Sequence, residues 1–521
     1  MEMSFEPLTP VSFLRRSAAV FGDRLAVVSE DRRFTYAEHW QRARQQAGLW
    51  LSMDVAPGDR VALLCPNTHV LLESHVGVPL AGAVLVALNT RLQAEEIAAI
   101  LDHCDARVLL VDHELFDRGQ DAASAAEADI EVVVVSADGA DAGGYESRLA
   151  AAEPTEVPVT DENSLLALNY TSGTTGRPKG VMYHHRGAFL QAIAMAYHAR
   201  LDSDACYLWT LPMFHTNGWC FPWAVTAAGA VHRCLRQVDS AEIWHAIEHE
   251  GVTHIAAAPV VLTNLEAHPD RPLSAPRKVR AFTGGSPPSP ALLERSAAMG
   301  IDVTHLYGLT ETFGPAAICE WRSEWDHLPL EQQAVIKARQ GVHNIVSQRL
   351  RVVDDQGEDV PADGQTTGEI ALRGNNVMLG YFRDEETTRA AAPDGWFRTG
   401  DVGVMHPDGY IELRDRRKDV IISGGENIAS VEVENVLASH PDVVEVAVVG
   451  APHPKWGEVP VAFVTPREAA SLTSDQLIDF VRQRIAHFKA PKEVVFGPLP
   501  RTSTGKVQKA QLRATVAERE R

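Results

Sequence analysis

The sequence predicts an α/β protein: a large N-terminal domain of parallel sheets covered by helices and carrying a small β-barrel-like unit, then a small mobile α+β C-terminal domain. Three observations predict it. From about residue 60 to 311, short apolar runs alternate with helical patterns, the rhythm of parallel strands joined by helical crossovers. Between 348 and 414 such runs are punctuated by Gly, Asp and Pro, as in a small antiparallel unit. After Asp419 strand-like and helical patterns mix again, over roughly 100 residues, enough for a small domain.

The elements follow in order. Residues 36–51 carry a helical pattern; Val61-Ala-Leu-Leu64 and Val84-Leu-Val-Ala-Leu88 then read as buried strands, separated from later ones by a helix at 94–101. Val108-Leu-Leu-Val111, Val132-Val-Val-Val135 and Leu165-Leu-Ala-Leu168 are apolar throughout, as strands covered on both faces must be. A helix at 241–251 and a strand at 279–282 continue the alternation. Gln348-Arg-Leu-Arg-Val-Val353 and Gly368-Glu-Ile-Ala-Leu-Arg373 supply the antiparallel runs. In the last part, runs at 443–449 and 459–464 precede a helix that Thr473 and Gln476 open as a capping box, with Leu477, Phe480, Val481 and Ile485 at helical spacing. The Ala-rich patch 122–126 and the Asp/Gly stretch 138–144 read as mobile surface.

A chain of 521 residues exceeds one ordinary core, and 45% hydrophobic with 22% charged residues is globular composition. The net charge of -21 disfavours a nucleic-acid partner or an anionic membrane surface. Six scattered cysteines without a CxxC pair outline neither a disulfide framework nor a zinc site. The first seven residues show no signal peptide, and the longest apolar stretch, 76–88, holds Pro79 and two glycines and is too short to span a bilayer. A cytoplasmic protein is expected; its oligomeric state is open, and a homodimer is compatible with it.

The most informative segment is Tyr170-Thr-Ser-Gly-Thr-Thr-Gly-Arg-Pro-Lys-Gly180. Its glycines let backbone N–H groups converge on an anion, while Thr171, Ser172, Thr174 and Thr175 add hydroxyl donors around Gly173 and Lys179 adds charge. It is a phosphate loop, but not a Walker A loop, because Gly180 follows the lysine. Later strings carry chemistry of the same kind: Leu211-Pro-Met-Phe-His-Thr-Asn-Gly-Trp219, Thr283-Gly-Gly-Ser-Pro287, His305-Leu-Tyr-Gly-Leu-Thr-Glu311, Phe397-Arg-Thr-Gly-Asp401, Asp415-Arg-Arg-Lys-Asp419 running on to Gly424 and Gly425, and Pro500-Arg-Thr-Ser-Thr-Gly-Lys506. His215 and Trp219 stand four apart, so on a helical turn they would face the same way. Taken singly, most of these residues would be core packing or solvated charge.

In this order the strings resemble the adenylate-forming superfamily of acyl-CoA synthetases, adenylation domains and luciferases, over nearly the whole chain. The resemblance implies ATP, Mg²⁺ and coenzyme A as cofactors and co-substrates. It implies that Thr171 to Thr175 and Lys179 bind phosphate, and that Gly284, Gly285 and Ser286 lie along the adenine with His305, Leu306, Tyr307 and Gly308. Thr310 would bind the α-phosphate, and Thr171 and Glu311 would hold the metal. Asp401 would take the ribose hydroxyls and Arg416 ribose or phosphate. His215 and Trp219 would stand between nucleotide and acyl pocket, and Gly424 and Gly425 would line the pantetheine channel. Lys506 would reach the carboxylate and α-phosphate. Lys418 would be the hinge between domains 1–417 and 418–521. Asp415 stands where many members have Gly.

Tyr183-His-His-Arg-Gly187 and residues 214–223 and 321–341 look like methylmercaptopropionyl-CoA ligases, fatty-acyl-CoA synthetases and plant peroxisomal acyl-activating enzymes. Leu306 stands where long-chain members often have Gly, which implies a shorter tunnel and a short- or medium-chain acid. Three functions stay open at this point: a CoA ligase for such an acid (or for a long-chain or aryl acid), an enzyme loading a carrier protein, and a non-catalytic binding relative.

Overall fold

The computed structural model describes residues 5–137, 143–172, 178–416, 419–424, 426–467, 472–502 and 505–519. Expectations placed on the Ser172 side chain, on Gly173, Thr174, Thr175, Lys418 and Gly425, and on most of the stretch 138–144 lie outside the described residues.

Two large sheets form the N-terminal body. Among the described residues one has six strands, in the order Glu131–Val135, Ala106–Asp112, Arg60–Leu64, Val84–Ala87, Leu165–Ser172 and Pro178–His184. All neighbours are parallel except the last pair, a hairpin that carries the phosphate-loop string at its tip. The other has nine strands; its parallel centre is Ile301–Leu309, Val279–Thr283, His254–Ala257, Cys206–Leu208, Val231–Cys234 and Leu25–Ser29, and its edges are antiparallel. The helix His69–Leu80 is buried along its whole length, which explains its apolar sequence. Trp50, Trp209, Trp223 and Phe221 are fully enclosed in the largest core.

The predicted helices form at Tyr36–Ser52, Ala94–Cys104 and Ser240–His249. The last stops short of Gly251, which takes φ +77° in the turn that follows; at its start the Asp239 carboxylate accepts the Ala241 and Glu242 amides, satisfying donors that the first helical turn leaves unpaired.

The β unit is a four-stranded antiparallel sheet, Arg351–Val353, Thr367–Leu372, Phe397–Met405 and Ile411–Arg416. Of the run 348–353 only the last three residues join it. The C-terminal unit builds a sheet on the long hairpin Val443–His453 and Gly457–Pro466, with helices Ser430–Ala438, Ser474–Arg482 and Lys509–Arg519. The capping box is present: Gln476 N–H donates to Thr473 Oγ1 and Thr473 N–H to Gln476 Oε1. Ile485 lies beyond that helix, although its amide still donates to Val481 O.

The C-terminal unit docks on the helix Pro259–Ala267. Arg467 lies 3.2 Å from Glu266, and Gly505 sits so near Val260 that an added Cβ would come within 2.9 Å of its methyl.

Candidate active site

Strand Ile301–Leu309 runs out of the parallel sheet into a single 3-10 turn, Thr310–Thr312, and this places Tyr307, Thr310 and Glu311 together. The Tyr307 hydroxyl donates to Asp401 Oδ2 at 2.7 Å. Arg416 Nε lies 3.3 Å from Asp401 Oδ1, across a strand pair that sets Asp401 opposite Arg416. Burial raises the Asp401 carboxyl above its ordinary value; Arg416, the Tyr307 hydroxyl and Lys506 oppose that shift, and Asp419 adds to it. Tyr307, 94 residues away in sequence, and Arg416 on the neighbouring strand thus converge on one buried carboxylate.

Glu311 Oε1 accepts the Tyr381 hydroxyl at 2.8 Å, and Lys179 stands 5.0 Å from the centroid of the same Tyr381 ring. Thr171 pairs with Lys179 across the hairpin. The phosphate-loop lysine and the proposed metal carboxylate therefore share one tyrosine, which the sequence reading passed over. Tyr183 does similar work, donating to Thr310 O at 2.7 Å.

His215 and Trp219 depart from the simple helical expectation. Residues 216 to 220 have φ of +49°, +37°, +51°, +54° and +62°, a left-handed turn. Only Gly218 takes such angles freely, and each of the others costs about 1–2 kcal/mol. Side chains hold the turn in place. Asn217 N–H donates to Asn169 Oδ1 at 3.0 Å and Asn169 Nδ2 donates to Asn217 Oδ1, while Thr216 Oγ1 lies 3.3 Å from Thr310 Oγ1. The signal for this pair was an Asn closing an apolar strand, since a buried amide needs partners.

Packing against protein pushes the His215 imidazole down to about 4, with the charge of Lys506 adding to the effect, so the ring is neutral at pH 7. Trp219 is buried with its indole over Gly284: a Cβ there would meet Leu306 O at 2.9 Å and the ring at 3.2 Å. Gly285 and Ser286 continue this loop toward solvent. His305 Nδ1 lies 2.9 and 3.0 Å from the carbonyls of Ala338 and Arg339, anchoring the strand, and Gly308 pairs with Pro315 on the neighbouring strand. Gly424 takes φ +62° beneath Trp456, where a Cβ would come within 2.9 Å of the indole, and its N–H donates to Trp456 O.

Lys506 comes from the other unit, yet its charge bears on both His215 and Asp401. Among the described residues no cluster of three or more His, Cys, Asp or Glu forms a metal cage. The single carboxylate of Glu311 fits Mg²⁺, which takes one or two protein carboxylates and completes its shell with phosphate and water.

A two-unit α/β fold in which the charge of a C-terminal lysine acts on a buried carboxylate of the N-terminal body is that of an adenylate-forming enzyme. Residues 14–382 match the AMP-binding enzyme family and residues 432–506 the AMP-binding enzyme C-terminal domain; the chain belongs to this family. It is 42% identical over 543 residues to a peroxisomal acetate/butyrate–CoA ligase of Arabidopsis thaliana, covering 99% of this chain and 95% of that one. It is 44% identical over 521 residues to 4-hydroxybutyrate–CoA ligase 2 of Metallosphaera sedula, covering 98% and 94%. ATP-bound MatB from Rhodopseudomonas palustris shares the fold at a TM-score of 0.86 and 27% identity, over 98% of this chain and 100% of that one. No helix among the described residues is long and apolar enough to cross a membrane.

Proposed function

We propose that the protein is an AMP-forming acyl-CoA ligase acting on a short- or medium-chain carboxylic acid. The observation that carries this reading is the buried cluster in which the Tyr307 hydroxyl and Arg416 hold Asp401, with the charge of Lys506 acting on Asp401 and His215. Whole-length similarity to ligases named for acetate, butyrate and 4-hydroxybutyrate supports both the small acid and CoA as acceptor, in preference to a carrier protein.

In the first step a carboxylate oxygen attacks the α-phosphorus of ATP, and pyrophosphate leaves as the acyl-adenylate forms. Attack of one anion on another is opposed electrostatically, so the site must neutralise charge as it develops. Lys506 does this at the carboxylate and α-phosphate, and Thr310 donates from the turn that follows strand Ile301–Leu309. Lys179 and the hydroxyls from Thr171 to Thr175 hold the outer phosphates. Glu311 and Thr171 would hold Mg²⁺, which would supply further positive charge to the phosphates. Asp401 and Arg416 hold the ribose, and Tyr307 packs on the adenine.

In the second step the CoA thiol loses its proton, its sulfur bonds to the acyl carbon, and the bond to AMP breaks. Gly424 and Gly425 line the approach of the pantetheine arm. The neutral His215 leaves Lys506 as the positive group between nucleotide and acyl pocket. Trp219 and Leu306 wall that pocket, and their bulk favours a short chain. The domain boundary lies at Lys418.

Incubating the purified protein with ATP, Mg²⁺ and a panel of acids from acetate to dodecanoate, with and without CoA, tests the reading. Acyl-CoA and pyrophosphate in equal amounts with short or medium acids are expected. Pyrophosphate without thioester would transfer the acceptor role to a carrier protein, and neither product from any acid would overturn the ligase reading.

A further inference from the structure

Asp415 lies on strand Ile411–Arg416, one residue before the arginine that pairs with Asp401, and is 2% exposed. Its carboxylate has two backbone partners. Oδ1 accepts the Arg416 N–H at 2.8 Å, and Oδ2 accepts the Ser430 N–H at 2.7 Å. Ser430 opens the helix Ser430–Ala438 of the C-terminal unit, and the residue before it, Ala429, offers no side-chain cap. A helix start leaves backbone N–H groups unpaired and favours an anion beside them. Asp415 therefore caps, from the N-terminal body, a helix belonging to the other unit.

The same helix start holds the segment that carries Lys506. Lys509 Nζ donates to Ser430 Oγ and lies 2.8 Å from Glu434 on the same helix. Lys509 is three residues beyond Lys506 and opens the helix Lys509–Arg519. The Asp415 and Lys509 partners thus converge on one residue, which joins the ribose-site strand to the loop of the catalytic lysine. Two further ties between the units, among the described residues, are of a different kind. Arg467 and Glu266 form a single 3.2 Å contact with the arginine side chain 36% exposed, and Gly505 against Val260 is apolar packing without direction. A buried carboxylate on two amides fixes orientation, because charge-assisted hydrogen bonds are strong and directional.

We propose that Asp415 is a positioning residue for adenylation: by gripping the Ser430 amide it sets the C-terminal unit so that Lys506 reaches the cleft. The proposal rests on the ligase reading above. It predicts a split between the half-reactions, because only adenylation needs Lys506 in this place.

The test compares wild type, Asp415→Ala and Ser430→Pro. The proline removes the donor from the opposite side, at the first helical position, where proline is well tolerated. Two rates are measured for each: single-turnover pyrophosphate release with ATP, Mg²⁺ and butyrate without CoA, and thioester formation from supplied butyryl-adenylate plus CoA. Both variants should lose about tenfold or more in the first rate, with KM for ATP and the second rate within about twofold of wild type. Equal loss in both half-reactions would mark Asp415 as a general structural residue and overturn the proposal, as would an unchanged first rate in either variant. A wild type silent with butyrate and every other acid would instead sink the ligase reading on which the proposal stands.

Discussion

The Tyr307 hydroxyl donates to the Asp401 carboxylate at 2.7 Å, and both groups are buried. The ring proposed to pack on adenine and the acid proposed to take the ribose are thereby one unit. Asp401→Ala should raise KM for ATP by about tenfold to a hundredfold, since a hydrogen bond to a charged group contributes roughly 1.5–3 kcal/mol. Tyr307→Phe removes a group that steadies the ionised carboxylate, and KM should rise by a smaller factor. Titrating initial rate against ATP for both variants checks the order; a larger effect from Tyr307→Phe would contradict it.

Lys506→Ala should nearly abolish pyrophosphate release while leaving ATP affinity almost intact. Removing one preorganised group aimed at developing charge costs on the order of a hundredfold to a thousandfold in rate. Equilibrium binding of a fluorescent ATP analogue beside a single-turnover rate separates the two quantities. Adenylation at the wild-type rate would remove Lys506 from the chemistry.

On the proposed placement of the Leu306 side chain in the acyl-pocket wall, Leu306→Gly should shift the preferred acid toward longer chains; the Leu306 carbonyl and the Trp219 ring both lie against Gly284. The side chain is 2% exposed, so its loss should also destabilise the fold by about 2–5 kcal/mol, as for other buried leucines cut back. The ratio of kcat/KM for octanoate over butyrate is the readout. A fall in both without a change of ratio would mean that Leu306 only supports the core.

Acid should weaken the fold before the carboxylates titrate. Burial pushes His39 and His75 down to about 4, and His232 lower still. Between pH 6.5 and 4 the unfolded chain therefore binds protons that the folded chain refuses. This contribution to stability is full above pH 6.5 and is lost as pH falls, by up to ~1.4 kcal/mol per unit for each histidine. Thermal midpoints from pH 7.5 to 4.5 should drop steadily; a flat profile to pH 5 would exclude the effect.

How much of this the residues announced depends on the distance over which each feature is decided. Four-residue apolar runs such as 61–64 and 108–111 became parts of strands Arg60–Leu64 and Ala106–Asp112, because burial on both faces leaves a local mark. The Thr473–Gln476 box is likewise local and formed as read. The four-stranded sheet was legible as a unit but not in its bounds, since punctuation by Gly and Asp marks turns better than strand ends. The site strings named residues the fold brings together, Tyr307, Asp401, Arg416 and Lys506 among them. The partners that hold them were not legible. Tyr381 and Glu311 are 70 residues apart, Asn169 and Asn217 are 48 apart, and Asp415 and Ser430 are 15 apart. Each is an ordinary polar residue whose partner only the folded chain selects.

The turn at 216–220 runs against the handedness of all its residues but Gly218. Thr216→Gly would relax that backbone and could leave the fold as stable or more so, as such replacements do where φ is positive. It would also remove the hydroxyl facing Thr310 and loosen the support of Trp219. Here the chain withstands a poorer backbone and keeps Trp219 packed against Gly284 and Gly314. Selection for thermal resistance alone would therefore favour glycines in this turn, at the expense of that packing and of the acid selectivity proposed for it.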